Sequence, residues 1–271
     1  MGRQSASHGL FILSRGGISL TAFLLGEKLF SRTFWERELR RPFLKDKYPG
    51  RICLPIVERS LGKALSAIEK ANGLADLIEL RLDYLREPEL PTLLKVGEKP
   101  FIVTNRRKEE EGKYRGEEKK RFEILRQAVD LGVAYVDVET RSKRSSLLEL
   151  IKNKRGTRLV LSFHDFERTL SPGALRVLCG RMIRYGADVI KIVTLARTFE
   201  DNLKILSLIP YARERNQEII AFAMGEKGKM SRIFAPLMGA AWTYASLDRK
   251  RTSAPGQLTA GELRQIWERL R

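Results

Sequence analysis

A lysine and a histidine on neighbouring apolar segments are the residues of this sequence best suited to chemistry on a carbonyl group. Lys191 interrupts the run Val-Ile-Lys-Ile-Val, where desolvation favours a neutral, nucleophilic amine. His164 is the sole histidine after residue 8, and an imidazole can act as both acid and base near neutral pH. Together they predict Schiff-base chemistry on a ketone or aldehyde, which requires neither a metal nor an organic cofactor.

Each of these two residues has a plain structural alternative when it is considered alone. A lysine in a strand can extend its amine to the rim of the fold or pair with a carboxylate. A histidine at a strand end is more commonly a structural residue than a catalytic one. Because Lys191 and His164 fall on successive predicted strands, we interpret them as a reactive pair.

The elements that would position this pair repeat from residue 51 onward. Short runs rich in Val and Ile alternate with helical patterns, which indicates repeated βα units and a parallel sheet. The predicted strands are 52–57, 76–83, 101–106, 135–139, 159–164, 189–195, 219–224 and 242–247, and the predicted helices are 59–72, 90–98, 117–131, 145–154, 172–185, 199–215, 229–238 and 259–270. Eight units without a Gly-x-Gly-x-x-Gly turn after the first strand favour a closed (β/α)8 TIM barrel over a doubly wound sheet.

The predicted mouth of this barrel is unusually rich in ionisable side chains. Working residues of such barrels lie at the C-terminal strand ends and point inward at alternate positions. A sequence shaped only by burial would place Val or Leu there, because unpaired charges are costly in a core. The rule instead selects Glu79, Arg81, Arg106, Glu139, His164, Lys191 and Met224.

Two further segments near the last strands indicate which chemical groups the substrate carries. Arg232 offers a cation, and the turn Ser253-Ala-Pro-Gly-Gln257 offers amide and hydroxyl donors, a combination that suits a carboxylate. The acidic and basic side chains on the second and third strands suit hydroxyl groups. The expected substrate is therefore a small polyhydroxylated keto acid.

Six motifs connect these residues in a fixed order. They are Glu79-Leu-Arg-Leu-Asp83, Thr104-Asn-Arg106 with Glu110 four residues on, Ser162-Phe-His-Asp165, Val189-Ile-Lys191-Ile, Met224-Gly-x-x-Gly-x-x-Ser-Arg232 and Ser253-Ala-Pro-Gly-Gln257. Over about residues 51–270 the chain resembles the type I 3-dehydroquinate dehydratases. The resemblance implies a (β/α)8 barrel, usually a homodimer, that uses no cofactor. It also implies the third step of the shikimate pathway, in which 3-dehydroquinate is dehydrated to 3-dehydroshikimate.

The resemblance also implies a role for each matching residue. Lys191 would form an imine with the C3 ketone, and Glu110 would orient His164. His164 would take the C2 proton and protonate the departing C1 hydroxyl. Arg232, Ser253 and Gln257 would hold the carboxylate, Glu79, Arg81 and Arg106 would contact the ring hydroxyls or support those contacts, and Met224 is also expected at the binding site.

The carboxylate partner of His164 stays open between neighbouring candidates. The strand-end rule alone offers Glu139, whereas the resemblance favours Glu110 and leaves Glu139 as a group of the barrel interior. The family usually has Glu-Gly-Gly where this chain has Glu110-Glu111-Gly112, so Glu111 is a further candidate one residue away.

The large positive charge of the chain raises the question of nucleic-acid binding. The 51 Lys and Arg residues exceed the 33 Asp and Glu residues, which gives a formal net charge of +18. This excess is spread along the chain without a basic arm, so we do not expect nucleic acid as a partner. A class I aldolase on the same barrel is the closer alternative, although such enzymes generally bind phosphate near the seventh and eighth strands. Arg232 and the Ser-Ala-Pro-Gly-Gln turn suit a carboxylate better.

The first fifty residues differ from the rest and match none of the motifs. Their longest apolar run, 18–26, is too short to cross a bilayer, so no membrane association is expected. We predict an N-terminal extension over 1–50 and a single catalytic domain over 51–271. Cys53 and Cys179 form neither a disulfide framework nor a metal motif, which is typical of a cytoplasmic protein.

Overall fold

Parallel strands alternate with helices along the part of the chain that the computed structural model describes, residues 50–270. The strands are β1 (Ile52–Ile56), β2 (Leu77–Arg81), β3 (Phe101–Thr104), β4 (Tyr135–Glu139), β5 (Arg158–Asp165), β6 (Val189–Leu195), β7 (Glu218–Met224) and β8 (Thr243–Tyr244). The α-helices are α1 (Leu61–Asn72), α2 (Leu90–Val96), α3 (Glu118–Asp130), α4 (Arg144–Asn153), α5 (Pro172–Arg184), α6 (Glu200–Leu206), α7 (Leu208–Arg213), α8 (Lys229–Leu237) and α9 (Ala260–Arg269). Short 3-10 turns cover Leu82–Tyr84, Lys108–Glu110 and Glu226–Gly228.

The sheet curls into a nearly closed barrel. Its strand order is β7-β6-β5-β4-β3-β2-β1-β8, and all paired neighbours are parallel. Between β7 and β8 the Ala241 N–H donates to the Ile219 carbonyl at 2.8 Å, which brings the two edges of the sheet together. The predicted (β/α)8 TIM barrel is therefore confirmed.

Alternation along the strands divides the core into two layers. Residues such as Ile190 and Ile192 pack between the sheet and the helices. Residues of the other parity point into the barrel, where Leu77, Val160 and Trp242 belong to an apolar plug. Side chains two residues apart on a strand share a face. The inward-facing residues that follow the plug along each strand therefore lie at the C-terminal end of the barrel.

Two predicted elements differ from the structure. The single helix predicted over 199–215 is wrong, because α6 and α7 are separated at Ser207. Pro210 has no N–H to bond the Leu206 carbonyl, and its ring would clash with that carbonyl in a continuous helix. The eighth strand is also shorter than predicted, because the chain leaves β1 after the Ala245 N–H donates to the Cys53 carbonyl, and Ser246 then bridges to Thr259.

The remaining predicted elements agree with the observed ones within about two residues at most ends. The extension predicted over 1–50 lies outside the described residues, apart from Gly50. Across residues 50–270, none of the helices combines the length and the apolar character needed to cross a bilayer.

Candidate active site

A single cavity at the C-terminal end of the barrel brings together all ten residues predicted for the site. The cavity opens to solvent, and its free space is about 550 Å³ when the open mouth is included. The predicted residues that line it are Glu79, Arg81, Arg106, Glu110, His164, Lys191, Met224, Arg232, Ser253 and Gln257. Sequence reasoning did not select Phe166, Val193, Phe222, Tyr244 and Ala254, which also line it.

Lys191 projects from β6 into this cavity and is almost fully buried. Its Nζ lies 2.9 Å from Asp137 Oδ2, 3.2 Å from Tyr244 Oη and 3.5 Å from Glu79 Oε1. The expected apolar surroundings of the amine are therefore wrong. Alternation along β6 sends the neighbouring isoleucines toward the helices, so that the amine faces two carboxylates and a phenol instead.

Asp137, in the middle of β4, is a site residue that the sequence interpretation missed. Its Oδ1 is 2.8 Å from Arg106 Nη2 and accepts a 2.7 Å hydrogen bond from the Ser162 hydroxyl. Burial opposes ionisation, but the charges of Arg106 and Lys191 hold the pKa of Asp137 well below its usual range. A signal for this residue existed, because it lies two positions before Glu139 and so shares its inward face.

His164 lies near the end of β5, where its ring stacks on Phe166 with 5.8 Å between ring centroids. Its Nδ1 is 2.8 Å from Glu110 Oε2. Burial, together with the positive charges of Arg106 and Lys191, lowers the pKa of His164 well below 6.5. The resting imidazole is therefore neutral. When its Nδ1–H donates to Glu110, its Nε2 carries the lone pair and can accept a proton.

Of the two adjacent glutamates, Glu110 is the one that reaches His164. Glu110 is 2% exposed, whereas Glu111 borders the same cavity but is exposed to solvent. Glu111 has a φ of 58°, and this left-handed turn directs the two side chains differently. Burial raises the pKa of Glu110 to about 7, and the nearby charge of Arg106 opposes that rise.

The loop that carries Glu110 is held at two points by Asp83. The carboxylate of Asp83 accepts the Arg106 N–H at 3.3 Å and the Lys113 N–H at 3.0 Å. The loop also folds tightly on itself, because a Cβ at Gly112 would lie 2.0 Å from the Arg106 carbonyl oxygen. These contacts fix the backbone on both sides of Glu110 and so set the position of its carboxylate.

Glu139 does not contact His164, so its candidacy as the histidine partner is wrong. Its Oε1 lies 3.0 Å from Arg106 Nη1, and its Oε2 lies 2.7 Å from Arg121 Nη1. Both oxygens are thus occupied inside the barrel wall. Glu139 is a group of the barrel interior, as the family pattern suggests.

A chain of six charged side chains runs from α3 to the lysine, and we call it the ionic chain. Its members alternate in sign, each contacts the next, and all are buried. In order they are Arg121, Glu139, Arg106, Asp137, Lys191 and Glu79. The chain holds Asp137 in contact with the lysine amine.

The two arginines predicted to meet the ring hydroxyls are both engaged in ion pairs. Arg106 binds Asp137 and Glu139 and donates to the Ser162 hydroxyl at 2.8 Å. Arg81 makes a two-pronged pair with Asp83 at 2.8 Å for each hydrogen bond. Their guanidinium groups border the cavity, but their main contacts are with protein carboxylates.

Arg232, in contrast, is a buried arginine with N–H donors that lack acceptors within residues 50–270. It is 1% exposed on α8, and its Nε and Nη2 have no hydrogen-bond partner within residues 50–270. Its guanidinium lies 4.3 Å from the centroid of the Phe222 ring, and burial lowers its pKa to about 9. A buried cation with free donors is an arrangement that favours binding of an anion.

The turn after β8 adds further donors beside Arg232. Gln257 Oε1 accepts the Ser253 N–H at 2.8 Å and the Ser253 hydroxyl at 3.3 Å, while its buried Nε2 has no partner in the described chain. Gly256, with a φ of 73°, packs on Gly225 so closely that a Cβ would lie 2.2 Å from the Gly225 carbonyl oxygen. This contact places the turn against the end of β7, next to Met224.

Within residues 50–270, no cluster of three or more His, Cys, Asp and Glu side chains is arranged to hold a metal ion. The cavity instead combines an amine, a neutral imidazole with a carboxylate partner, and an unpaired guanidinium. This combination can form an imine with a keto acid and move a proton beside it.

Comparison with known proteins identifies the family of this chain. The family model described as type I 3-dehydroquinase matches residues 52–270. The chain belongs to the type I 3-dehydroquinase family. The match contains every predicted site residue, from Glu79 to Gln257.

Individual members of the family are similar to this chain in sequence and in structure. A 3-dehydroquinate dehydratase from Methanocaldococcus jannaschii is 35% identical over 80% of this chain and 97% of that protein. One from Pyrococcus abyssi is 39% identical over 79% of this chain and 96% of that protein. The crystal structure of 3-dehydroquinate dehydratase from Geobacillus kaustophilus superposes with a TM-score of 0.76 at 28% identity, covering 82% of this chain and 91% of the other.

Proposed function

We propose that this chain catalyses the dehydration of 3-dehydroquinate to 3-dehydroshikimate, a step of the shikimate pathway. One observation carries the proposal: the same cavity holds the Lys191 amine, the His164–Glu110 pair and the unpaired Arg232. The relatives from the type I 3-dehydroquinase family support it, because they are named for this reaction.

The first half of the reaction attaches the substrate to the protein. The Lys191 amine adds to the C3 ketone, and the hydroxyl of the adduct takes up a proton and leaves as water, so that a protonated imine remains. This cation withdraws electrons from the C3 carbon and acidifies the hydrogens on C2. His164 Nε2 then takes a C2 proton. The C2–H electron pair forms a C2=C3 double bond and the C=N π electrons move onto nitrogen, giving an enamine.

The second half expels the hydroxyl and frees the product. The enamine electrons return to form the C1–C2 double bond as the C1 hydroxyl departs. His164 transfers its proton to that hydroxyl, so water leaves and the imidazole is neutral again. Glu110 stabilises the imidazolium between these two transfers from its position 2.8 Å from Nδ1. Water then hydrolyses the imine and restores the ketone and the Lys191 amine.

The substrate carboxylate belongs at Arg232. The free Nε and Nη2 of this side chain can donate two parallel hydrogen bonds to a carboxylate, and Gln257 Nε2 can donate a third. These donors favour the dehydratase over a class I aldolase, which generally needs a phosphate site. The two reactions also differ in outcome, because an aldolase splits the carbon chain whereas a dehydratase yields one conjugated enone.

Reductive trapping tests this proposal directly. Borohydride added with 3-dehydroquinate is expected to fix one ligand covalently on Lys191, and Lys191→Ala is expected to prevent it. Lys119→Ala, at an exposed position on α3, is the matched control and should trap like the wild type. An unmodified mass for the wild type would contradict the imine mechanism.

We further propose that the catalytic domain comprises residues 51–271, preceded by an extension over 1–50, and that the enzyme acts as a homodimer in the cytoplasm. The family resemblance supports the dimer, and the two free, buried cysteines suit a reducing compartment. Light scattering coupled to size-exclusion chromatography would measure the dimer mass. A monomer at micromolar concentration would contradict this assignment.

A further inference from the structure

Tyr244 contacts the reacting nitrogen, yet none of the roles described above uses it. It lies on β8, lines the cavity and is 5% exposed. Its Oη is 3.2 Å from Lys191 Nζ, and its ring centroid is 4.3 Å from the same nitrogen. The hydroxyl and the ring face therefore both touch the amine.

Tyr244 is one of three hydrogen-bond partners around Lys191 Nζ. An ammonium has three N–H groups, and Nζ has three partners, at 2.9 Å from Asp137, 3.2 Å from Tyr244 and 3.5 Å from Glu79. A neutral amine has only two N–H groups. When these donate to the two nearest acceptors, the lone pair takes the third tetrahedral direction, on the side of the cavity that Glu79 lines, where a substrate carbonyl can replace the longest of the three contacts.

We propose that Tyr244 is a catalytic residue that orients the Lys191 amine for imine formation. This inference rests on the proposed dehydratase function and adds a residue to it. Imine formation requires alignment of the lone pair with the carbonyl carbon, and a rotating amine loses that alignment. Without Tyr244, the two N–H groups would turn to Asp137 and Glu79, and the lone pair would point away from Glu79. Asp137 and Tyr244 together instead fix both N–H groups and keep the lone pair on the side of Glu79.

A phenol also suits this position better than another carboxylate would. Burial, reinforced by the negative charge of Glu79, raises the pKa of Tyr244 well above 10, so the hydroxyl stays neutral. A neutral acceptor holds an N–H group without adding a further negative charge beside Nζ. Tyr244 can therefore position the amine in its reactive form.

The backbone fixes where this hydroxyl lies. Tyr244 pairs with Cys53 in the β1–β8 ladder, and its ring packs at a tilt against Phe222 with 6.1 Å between centroids. The short eighth strand thus delivers one inward side chain at the level of Lys191. A phenylalanine at 244 would keep the ring and its packing and lose only the oxygen.

The test compares Tyr244→Phe with Tyr135→Phe. Tyr135 is also a buried tyrosine of the barrel interior, but its hydroxyl contacts Arg158 instead of Lys191. Borohydride quenching at timed intervals measures the rate of imine formation, with 3-dehydroquinate and then 3-dehydroshikimate as the ketone. We expect Tyr244→Phe to slow this step about 10-fold with both ketones, as loss of one hydrogen bond to a reacting group predicts. Tyr135→Phe should stay within about twofold of the wild type.

A second readout separates orientation from general damage. Conversion of the preformed 3-dehydroquinate imine into the 3-dehydroshikimate imine does not use the amine lone pair, so Tyr244→Phe should leave this step within about twofold. Circular dichroism and thermal melting would verify that both variants are folded at the assay temperature. Unchanged imine formation, or a loss confined to the dehydration step, would overturn the role of Tyr244 alone. A wild-type protein that traps neither ketone would overturn the proposed function, and this role with it.

Discussion

His164 Nδ1 and Glu110 Oε2 are 2.8 Å apart, although the two residues belong to different βα units. One lies near the end of β5 and the other in the turn that follows β3. The protonation state of the glutamate decides which imidazole nitrogen carries the hydrogen. Ionised Glu110 accepts from Nδ1 and leaves Nε2 free, whereas protonated Glu110 donates to Nδ1 and leaves the hydrogen on Nε2.

We therefore expect kcat/KM to increase as the pH rises through about 7, the pKa to which burial raises Glu110. Below that pH, the proton on Glu110 removes the basic nitrogen of His164 from the cavity. His164 itself remains neutral there, because burial lowers its pKa well below 6.5. A pH profile of kcat/KM between 5 and 9 measures the effect.

Matched glutamine variants identify the group that titrates. Glu110→Gln should lower activity and flatten the profile near pH 7, since an amide does not ionise. Glu111→Gln changes the exposed neighbour and should keep the wild-type profile. A profile that moves with Glu111 instead would reverse this assignment.

Replacement of His164 should separate the two halves of the reaction. His164→Ala is expected to lower turnover by roughly 10²–10⁴, the range for loss of a general acid and base. Imine formation should survive in part, because the amine of Lys191 is still present. Steady-state assay and borohydride trapping of the same sample measure both effects, and near-normal turnover would remove the histidine from the mechanism.

Arg232→Met should weaken substrate binding and increase the stability of the folded protein. Loss of the charged donors to the substrate carboxylate is expected to lower kcat/KM about 10²-fold, mainly through KM. The free energy of unfolding should increase by about 1–2 kcal/mol, since the variant replaces a buried unpaired charge by an apolar side chain. Arg181→Met, at an exposed site on α5, should change neither quantity. Urea denaturation and substrate titration measure the two effects, and a destabilised Arg232→Met protein would show that the charge has a partner.

Glu111→Gly should stabilise the protein without loss of turnover. Glu111 adopts a φ of 58°, a conformation that costs a residue with a Cβ about 1 kcal/mol relative to glycine. Part of that gain is offset because glycine makes the unfolded chain more flexible. The expected result is a higher melting temperature with unchanged kcat, and a lower one would show that the Glu111 side chain makes a stabilising contact.

Much of this architecture could be predicted, because strand alternation and the order of βα units are local properties of the sequence. The rule of inward strand ends brought Glu79, Lys191 and His164 to one cavity without any knowledge of the fold's details. The same rule, extended one step back along β4, would also have found Asp137. On the fourth strand the rule takes only the last inward position, Glu139, whereas on the second strand it takes both Glu79 and Arg81.

Other residues gave no usable signal. Arg121 lies in a helix of mixed charge, where its spacing resembles that of its exposed neighbours, and only the packing of α3 shows that it is buried. Tyr244 has the character of an ordinary core aromatic in an apolar strand. Its function depends on the length of β8 and on which residue of β1 it pairs with, both of which follow from long-range contacts.

The ionic chain has a consequence for the electrostatics of catalysis. It contains three cations and three carboxylates, all buried, so its charges cancel inside the barrel. A protonated imine carries the same charge as the ammonium that it replaces. Covalent attachment of the substrate therefore leaves the charge balance inside the barrel unaltered, and the surrounding dipoles need not reorganise while the bond forms. The only new charge is the carboxylate of the substrate, for which Arg232 serves as the counter-ion.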